Sequence, residues 1–466
     1  MPERCSRVPQ RLGSTETPFG IREIRFDPDR GFFLNGRPVK MKGGDVHQDA
    51  GSLGTAIPDR AHERRVALMK ETGFNAIRCS HNPPAREFLD ACDRLGMLVI
   101  DESFDKWKSG YYAEWYDDWW REDLAAMVLR DRNHPSVVLW SVGNETREQA
   151  DKTGAGAARL AVTVAPDYSR TFDKNGFNAA VEVVGYNYQE PFYDSDHTQF
   201  PDRIIYGSEV FPYYSAGRER MREYIEHNPW YDYDARDFVF GYFMWAAIDY
   251  WGESSGWPSK GWPTGVYDVC MREKPAAAFF RAVWKDEPAV RLAVEDPSLP
   301  LDRGKDMWTW PLLAPHWNFP LYDNTQMVQV DVFTNCEEVE LLLNGVLLGR
   351  RRTADCDNNT VKWRLPYKPG TLSVRGFNGG VEVAADTLKT AGDPVALRLK
   401  ADREALASDG QDLSYVDVEL VDAEGKVVDA VSKRMGFKKT EIRDGVFYLN
   451  GRPLKVSAEC SHMQHP

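Results

Sequence analysis

The chain is predicted to be an α/β protein: a parallel (β/α)8 barrel of the TIM type, followed by one or two antiparallel β-sandwich domains. Three observations carry this. Between about residues 20 and 287, short apolar runs that end in polar residues alternate with helical patterns, which is the βα period of a barrel. Beyond Pro288 the pattern changes to short alternating runs broken by Gly, Asn and Pro, as in VQVDVFTNCEEVELLLNGVLLGRR, which suits sandwich strands. The length of 466 residues exceeds a single core, since a barrel of this type takes typically ~250 residues and leaves room for smaller domains.

The elements follow in order. Asn35-Gly36 is a hairpin turn signal between FFL and PVKMKG, and the latter opens the barrel as its first strand. Asp59 caps a helix that runs through Leu68 to Gly73. Strand AIRCS follows, then a second helix opened by Pro83-Pro84 and ended by Gly96. LVIDE is the third strand, Trp119 to Arg130 the third helix, and Val137 to Trp140 the fourth strand, which leads into Gly143, Asn144 and Glu145. After a helix to about Ala165, SRTFD (Ser169 to Asp173) reads as the fifth strand and VEVVGYNY as the sixth. Only Lys174 to Ala180 separate these two, whereas a βαβ crossover needs at least about 10 to 12 residues, so helix five is expected to be a stub. IIYGSE (Ile204 to Glu209) is the seventh strand and FVFGYFMW, ending at Trp245, the eighth; Lys274 to Trp284 closes the barrel as a helix.

In a parallel barrel the C-terminal ends of the strands form the chemical face. Glu145 and Glu209 both stand at such ends, after a small residue and an apolar run. Two inward carboxylates on separate strands are what glycosidic bond cleavage requires, one donating a proton to the leaving oxygen and one facing the anomeric carbon. The plainer alternative for Glu145, an acid at the next helix N-terminus, fits the position as well. With 58 basic and 71 acidic residues the net charge is −13, which argues against nucleic acid or an anionic membrane as partner and against steering of an acidic substrate, but permits a neutral sugar. Seven cysteines show no CxxC pair or framework spacing, and the first residues carry no apolar run of signal-peptide or membrane-span length. As written the chain reads as soluble and cytoplasmic, but a lost N-terminus could have carried an export signal, so the localisation is left open; no metal or other cofactor is expected.

Ser141-Val142-Gly143-Asn144-Glu145 with Gly207-Ser208-Glu209 resembles the catalytic domain of glycoside hydrolase family 2, the β-galactosidases, β-glucuronidases and β-mannosidases. GFFLNGRPVKMKG, GFNAIRCSHNPP, LVIDESFDKW, RDRNHPSVVLWSVGNE and GYFMWAAIDYWGE match in the same order. The resemblance implies a retaining exo-β-glycosidase acting on terminal β-D-galactosides. Glu209 would be its nucleophile, and Glu145 its acid/base, kept protonated by burial and by its anionic neighbour. Asn144 would bond the sugar 2-hydroxyl, and His47, Asp49 and His81 would line the pocket. Arg78 belongs to the same motif, although it could instead merely pair with Asp101 or Glu102. Tyr188 would contact the nucleophile, or simply pack at a strand end, and Trp245 would be an aromatic platform for the sugar. Asp249, Tyr250 and Glu253 follow in a loop rich in Trp and Gly. Lys260 could hold a uronic acid carboxylate, but the glucuronidase pattern Asn-x-Lys is missing and a solvated charge is favoured.

The resemblance also divides the chain. Residues 1–19 are the remnant of a preceding sandwich, 20–287 the barrel, 288–392 a sandwich, 393–435 a partial immunoglobulin-like domain, and 436–466 a partial repeat of the barrel start. The two sandwich regions read as scaffold, Trp308 and Trp310 included. Leu449-Asn450-Gly451-Arg452-Pro453 repeats Leu34 to Pro38, and the same offset maps His47 onto His462. One barrel accommodates only one first strand, so this tail is expected to be surplus to the fold. The family's N-terminal sugar-binding domain does not precede the barrel here, and hydrolysis is expected to be weakened by its loss. The alternatives are a β-glucuronidase or other β-uronidase, and a non-catalytic carbohydrate-binding remnant; the oligomeric state is left open.

Overall fold

The structure is a computed structural model that describes residues 19–146, 163–165, 178–213, 227–252, 261–295, 308, 310–435, 440–443, 446–449 and 452–453. Eight parallel strands close into a barrel. In chain order they are Met41–His47, Ala76–Ser80, Leu98–Glu102, Val137–Asn144, Thr163–Ala165, Val183–Asn187, Ile204–Val210 and Val239–Met244. The last pairs with the first, in register Gly241↔Met41 to Met244↔Gly44.

Alternation along these strands sorts the side chains into two layers. One set faces the surrounding helices, where Ile77, Cys79 and Val99 pack with Leu89, Cys92 and Phe280. The other set faces the barrel axis. At the N-terminal end it is apolar, with Met41, Ile100, Val138, Phe240 and Phe243 packed around Phe32. Phe32 comes from the antiparallel hairpin Ile24–Asp27, Gly31–Leu34 and Arg37–Pro38, which thus plugs the barrel floor. At the C-terminal end the same inward positions are polar: Asp45, Arg78 and Glu102, all inaccessible to solvent.

The helices on the outside end as their sequences direct. Asp59–Thr72 stops at Gly73 with φ 110°, and Arg86–Leu95 at Gly96 with φ 70°, both left-handed caps that a glycine adopts without steric cost. Asp59 is the first helical residue rather than the cap: Pro58 holds the N-cap position with no side-chain hydrogen bond. The third helix is longer than expected, Ala113–Asp131, because its first turns lie under an aromatic loop rather than following an apolar stripe of their own. The closing helix is Ala277–Trp284, beginning after Pro275.

The fifth strand is a correction. Thr163–Ala165 fills the place between the fourth and sixth strands, whereas Ser169 to Asp173 lies outside the described residues. Residues 166–182 therefore separate strands five and six, which meets the minimum for a crossover of ~10 to 12 residues and removes the need for a stub. A three-residue strand offers too short an apolar run to stand out in the sequence.

Two four-stranded antiparallel sheets follow the barrel and enclose a core around Trp317, Val330, Leu341 and Leu372. Trp310 packs back onto Phe279 and Phe280 of the closing helix. A further three-stranded sheet, Ala396–Ala401, Ser414–Val421 and Val427–Met435, rests on the first barrel helix through Leu413 and Tyr415 against Ala61. In the tail, Thr440–Arg443, Val446–Leu449 and Arg452–Pro453 form an antiparallel sheet in which Leu449 pairs with Arg452 and Tyr448 with Pro453. Leu34 with Arg37 and Phe33 with Pro38 are the corresponding pairs in the hairpin on the barrel floor.

Candidate active site

Arg78 is the hub of the barrel mouth. It points inward from the middle of the second strand, where its guanidinium is completely buried. Nε and Nη2 form a fork on Glu102, at 2.9 and 3.0 Å, and Nη2 also donates to Asn144 Oδ1 at 3.1 Å. Nη1 donates to Asp45 Oδ1, Glu209 Oε1 and the Ser208 carbonyl at 3.0, 3.0 and 3.1 Å. The sequence left open a pairing with Asp101 or Glu102; the structure selects Glu102, because alternation turns Asp101 outward toward Asp131 and Arg130. Arg78 also holds Glu209, so its role is not confined to pairing within the wall.

Glu209 sits within the seventh strand, 3% exposed. Its Oε2 accepts from Tyr188 Oη at 2.9 Å. Tyr188 is held with φ 56° by its own amide, which donates to the Glu209 carbonyl at 2.7 Å. His81 donates from Nδ1 to Glu102 at 2.6 Å and receives Asn144 Nδ2 at Nε2, 3.2 Å away, and that nitrogen lies 3.6 Å from Glu209 Oε1. Burial, with Arg78 next to it, pushes the imidazole well below its ordinary pKa, so His81 is neutral.

Glu145 lies just past the fourth strand. Its backbone is in the left-handed region, φ 44°, with its amide bonded to the Ala165 carbonyl at 2.9 Å. A non-glycine residue held there costs of order 1 to 3 kcal/mol, and such residues cluster at active sites. Gly143 makes this turn possible: a Cβ there would lie 2.4 Å from Trp107 Nε1, which donates to the Val142 carbonyl at 2.8 Å. Asn187 Nδ2 bridges the two halves of the site, donating to Asn144 Oδ1 at 3.1 Å and to Glu145 Oε1 at 3.5 Å. Lys106 Nζ stands 3.6 Å from Glu145 Oε2 and 3.1 Å from Asp105, whose Oδ1 also receives Asn144 Nδ2 at 3.2 Å. Although burial opposes its charge, Asp105 and Glu145 raise the Lys106 pKa.

The more deeply buried carboxyl is not the expected one. Glu209 is the buried carboxyl, and burial pushes its pKa up to about 8 against the pull of Arg78. Glu145, with 23% of its side chain exposed, faces an ammonium group instead. The cause is the position of each in its strand, since Glu209 lies inside the ladder and Glu145 beyond its end. One guanidinium also serves three buried carboxyls, Asp45, Glu102 and Glu209. Burial pushes Asp45 and Glu102 up as well, and Asp45 Oδ2 has no hydrogen-bond partner among the described residues.

The remaining expected residues form the rim. His47 stacks on Tyr250 at 3.9 Å, and burial holds its pKa well down. Asp49 ties two loops together, receiving the amides of Gly51 and Trp251 at 3.1 and 2.9 Å. Trp245 was expected as a sugar platform; the structure stacks it on His81, 5.1 Å between centroids and 8° from parallel, so that face supports the histidine. Asp249 receives Lys274 Nζ at 2.7 Å, while Glu253 and Lys260 lie outside the described residues. Asp45, Asp105, Lys106 and Asn187 were missed in the sequence, although Asp45 and Asn187 at strand ends carried a signal. Trp308, read as scaffold, lies 6.1 Å from the ring of Tyr188 and 5.1 Å from that of Trp262, so the segment after the barrel reaches the mouth.

Residues 28–201 match the family model described as "Glycosyl hydrolases family 2, TIM barrel domain", and residues 325–384 match a domain of unknown function, DUF4982. The β-galactosidase BoGH2A of Bacteroides ovatus is 31% identical over 90% of this chain and 56% of its own length. A putative β-glucuronidase of Formosa agariphila is 28% identical over 95% of this chain and 45% of its own. A crystal structure of a glycosyl hydrolase family 2 member from Bacteroides cellulosilyticus superposes with a TM-score of 0.79 at 40% identity, covering 88% of this chain and 55% of that one. The chain thus spans about half the length of the curated relatives it matches.

Proposed function

The barrel of this chain is a glycosyl hydrolase family 2 barrel, and from that premise we propose that the chain is a retaining β-glycosidase acting on terminal β-D-galactosides. The observation that carries the reading is the pair of strand-end carboxylates, Glu145 and Glu209, joined through Asn144, Asn187 and Arg78.

Glu209 attacks the anomeric carbon while Glu145 gives its proton to the departing oxygen. Water, deprotonated by Glu145, then releases the sugar from Glu209 with net retention. General acid/base help of this kind contributes ~10²- to 10⁴-fold. Arg78 and Tyr188 hold both Glu209 oxygens, leaving little rotational freedom to lose on attack. Burial favours a proton on Glu209; the productive form carries that proton on Glu145 instead.

A neutral sugar is favoured over a uronic acid by the cations. Among the described residues at the mouth, Arg78 is saturated by Asp45, Glu102 and Glu209, and Lys106 is engaged by Asp105 and Glu145. A substrate carboxylate would have to compete for one of these. The test is a panel of nitrophenyl β-galactoside, β-glucuronide and β-mannoside, with the anomer of the first-formed product read by NMR. Turnover of the galactoside alone with a β product is the expected result; an α product, or preference for the glucuronide, would overturn the reading.

A further inference from the structure

Beside the candidate site lies a cavity of about 650 Å³, walled by the loop after the third strand and the helix Ala113–Asp131. It meets the reaction centre at His47, His81 and Asp105. Asp105 is the residue that receives Asn144 and the neighbouring Lys106, and Lys106 stands 3.6 Å from Glu145. The cavity therefore begins at Asp105, which Lys106 links to the carboxyl that would protonate the leaving oxygen, and a group attached to that oxygen can extend past Lys106 into this space.

Its lining is unlike that of a barrel core. Phe104 and Tyr112 stack at 4.4 Å and make a firm floor, with Tyr112 Oη bonded to Asp123. Tyr111 and Trp115 rise from the floor with 87% and 50% of their surface exposed. Exposed rings of this kind cover the apolar face of a pyranose, while the carboxylates of Asp105 and Asp123, both in the wall, retain lone pairs for its hydroxyls. The size falls within the ~300 to 1,000 Å³ of ligand pockets generally.

We propose that this aromatic cavity is the binding site for the sugar ring of the leaving group, so that the preferred substrates are β-linked di- or oligosaccharides rather than glycosides of small alcohols. The inference rests on Glu145 as the proton donor, and it is tested independently of turnover. In protein labelled with 5-fluorotryptophan, the Trp115 resonance, identified by its loss in Trp115→Phe, should move on titration with at least one of lactose, cellobiose and a β-glucuronyl disaccharide. It should stay in place with the methyl β-glycosides of galactose and glucuronic acid. A Trp115 signal that responds to none of the disaccharides, or equally to the methyl glycosides, overturns the proposal whether or not the chain hydrolyses anything. For whichever sugar is turned over, Trp115→Ala should lower kcat/KM for the disaccharide by about 3- to 10-fold, the worth of one aromatic stacking contact. It should leave the glycosyl fluoride of the same sugar, which has no leaving ring, at its parent rate, and Trp115→Tyr should restore most of the loss. Equal losses on disaccharide and fluoride would place the glycone, not the leaving ring, in the cavity.

Discussion

Glu209 reacts, in the proposed mechanism, from inside the barrel wall, where burial lifts its pKa from 4.5 to about 8. In the unfolded chain the carboxyl releases its proton near 4.5, and in the folded chain near 8. Between those values the folded state holds more protons, so this group's contribution is fully present below 4.5 and is lost as pH rises through 8. Glu209→Gln imitates the neutral carboxyl and should be flatter over this window. Melting temperature against pH should show the variant gaining on the parent by at least about 2 to 4 °C toward pH 8, together with complete loss of turnover. Parallel curves would mean that burial does not raise the Glu209 carboxyl, and surviving hydrolysis that Glu209 is not the nucleophile. Glu145→Ala should behave differently. It should spare dinitrophenyl glycosides, whose leaving groups need little protonation, and with azide it should yield a β-glycosyl azide, detectable by mass spectrometry.

At the scale of elements, the turn after the fourth strand aims Glu145, and its geometry depends on the absence of a side chain at Gly143. Gly143→Ala would push Trp107 or the strand end aside. A shift of ~1 Å in a catalytic group can cost ~10²-fold, so kcat should fall by about that factor while KM changes little; parent-like kcat would show that the turn tolerates the methyl group. A second element-scale consequence concerns the strand Ala396–Ala401, where Leu397 and Leu399 are 69% and 68% exposed at a sheet edge. Edge strands of this composition invite pairing between chains. Leu397→Lys with Leu399→Lys should slow aggregation, followed by light scattering, without altering turnover.

For the molecule as a whole, the hairpin Ile24–Asp27 to Arg37–Pro38 already plugs the barrel floor, and Val446–Leu449 with Arg452–Pro453 repeats it. The closed barrel has no ninth place. Removal of residues 436–466 should therefore leave the melting temperature unchanged, and a drop of several degrees would show that the tail is integral. The third sheet, in contrast, rests on the first barrel helix through Arg60 to Asp402 at 3.4 Å and Arg64 over Tyr415 at 4.0 Å, as well as Leu413 against Ala61.

The barrel, its seven longer strands and the two strand-end glutamates were legible in the sequence, because a strand buried on both faces writes a continuous apolar run that a polar residue ends. Thr163–Ala165 was not legible, since three residues carry no period, and a neighbouring SRTFD looked more like a strand. Which of Asp101 and Glu102 meets Arg78 was decided by the phase of one strand against the next, Arg78 standing opposite Ile100. Which of Glu145 and Glu209 is the more deeply buried was beyond sequence for the same reason. It depends on the position of each in the wall, where Arg78 and Lys106 approach from other strands and loops. Trp245 against His81, Trp308 beside Tyr188 and the aromatic cavity beyond Asp105 are likewise contacts between distant segments. Pattern along the chain determines which residues end strands, and only closure of the barrel brings those ends together and sets their dielectric surroundings.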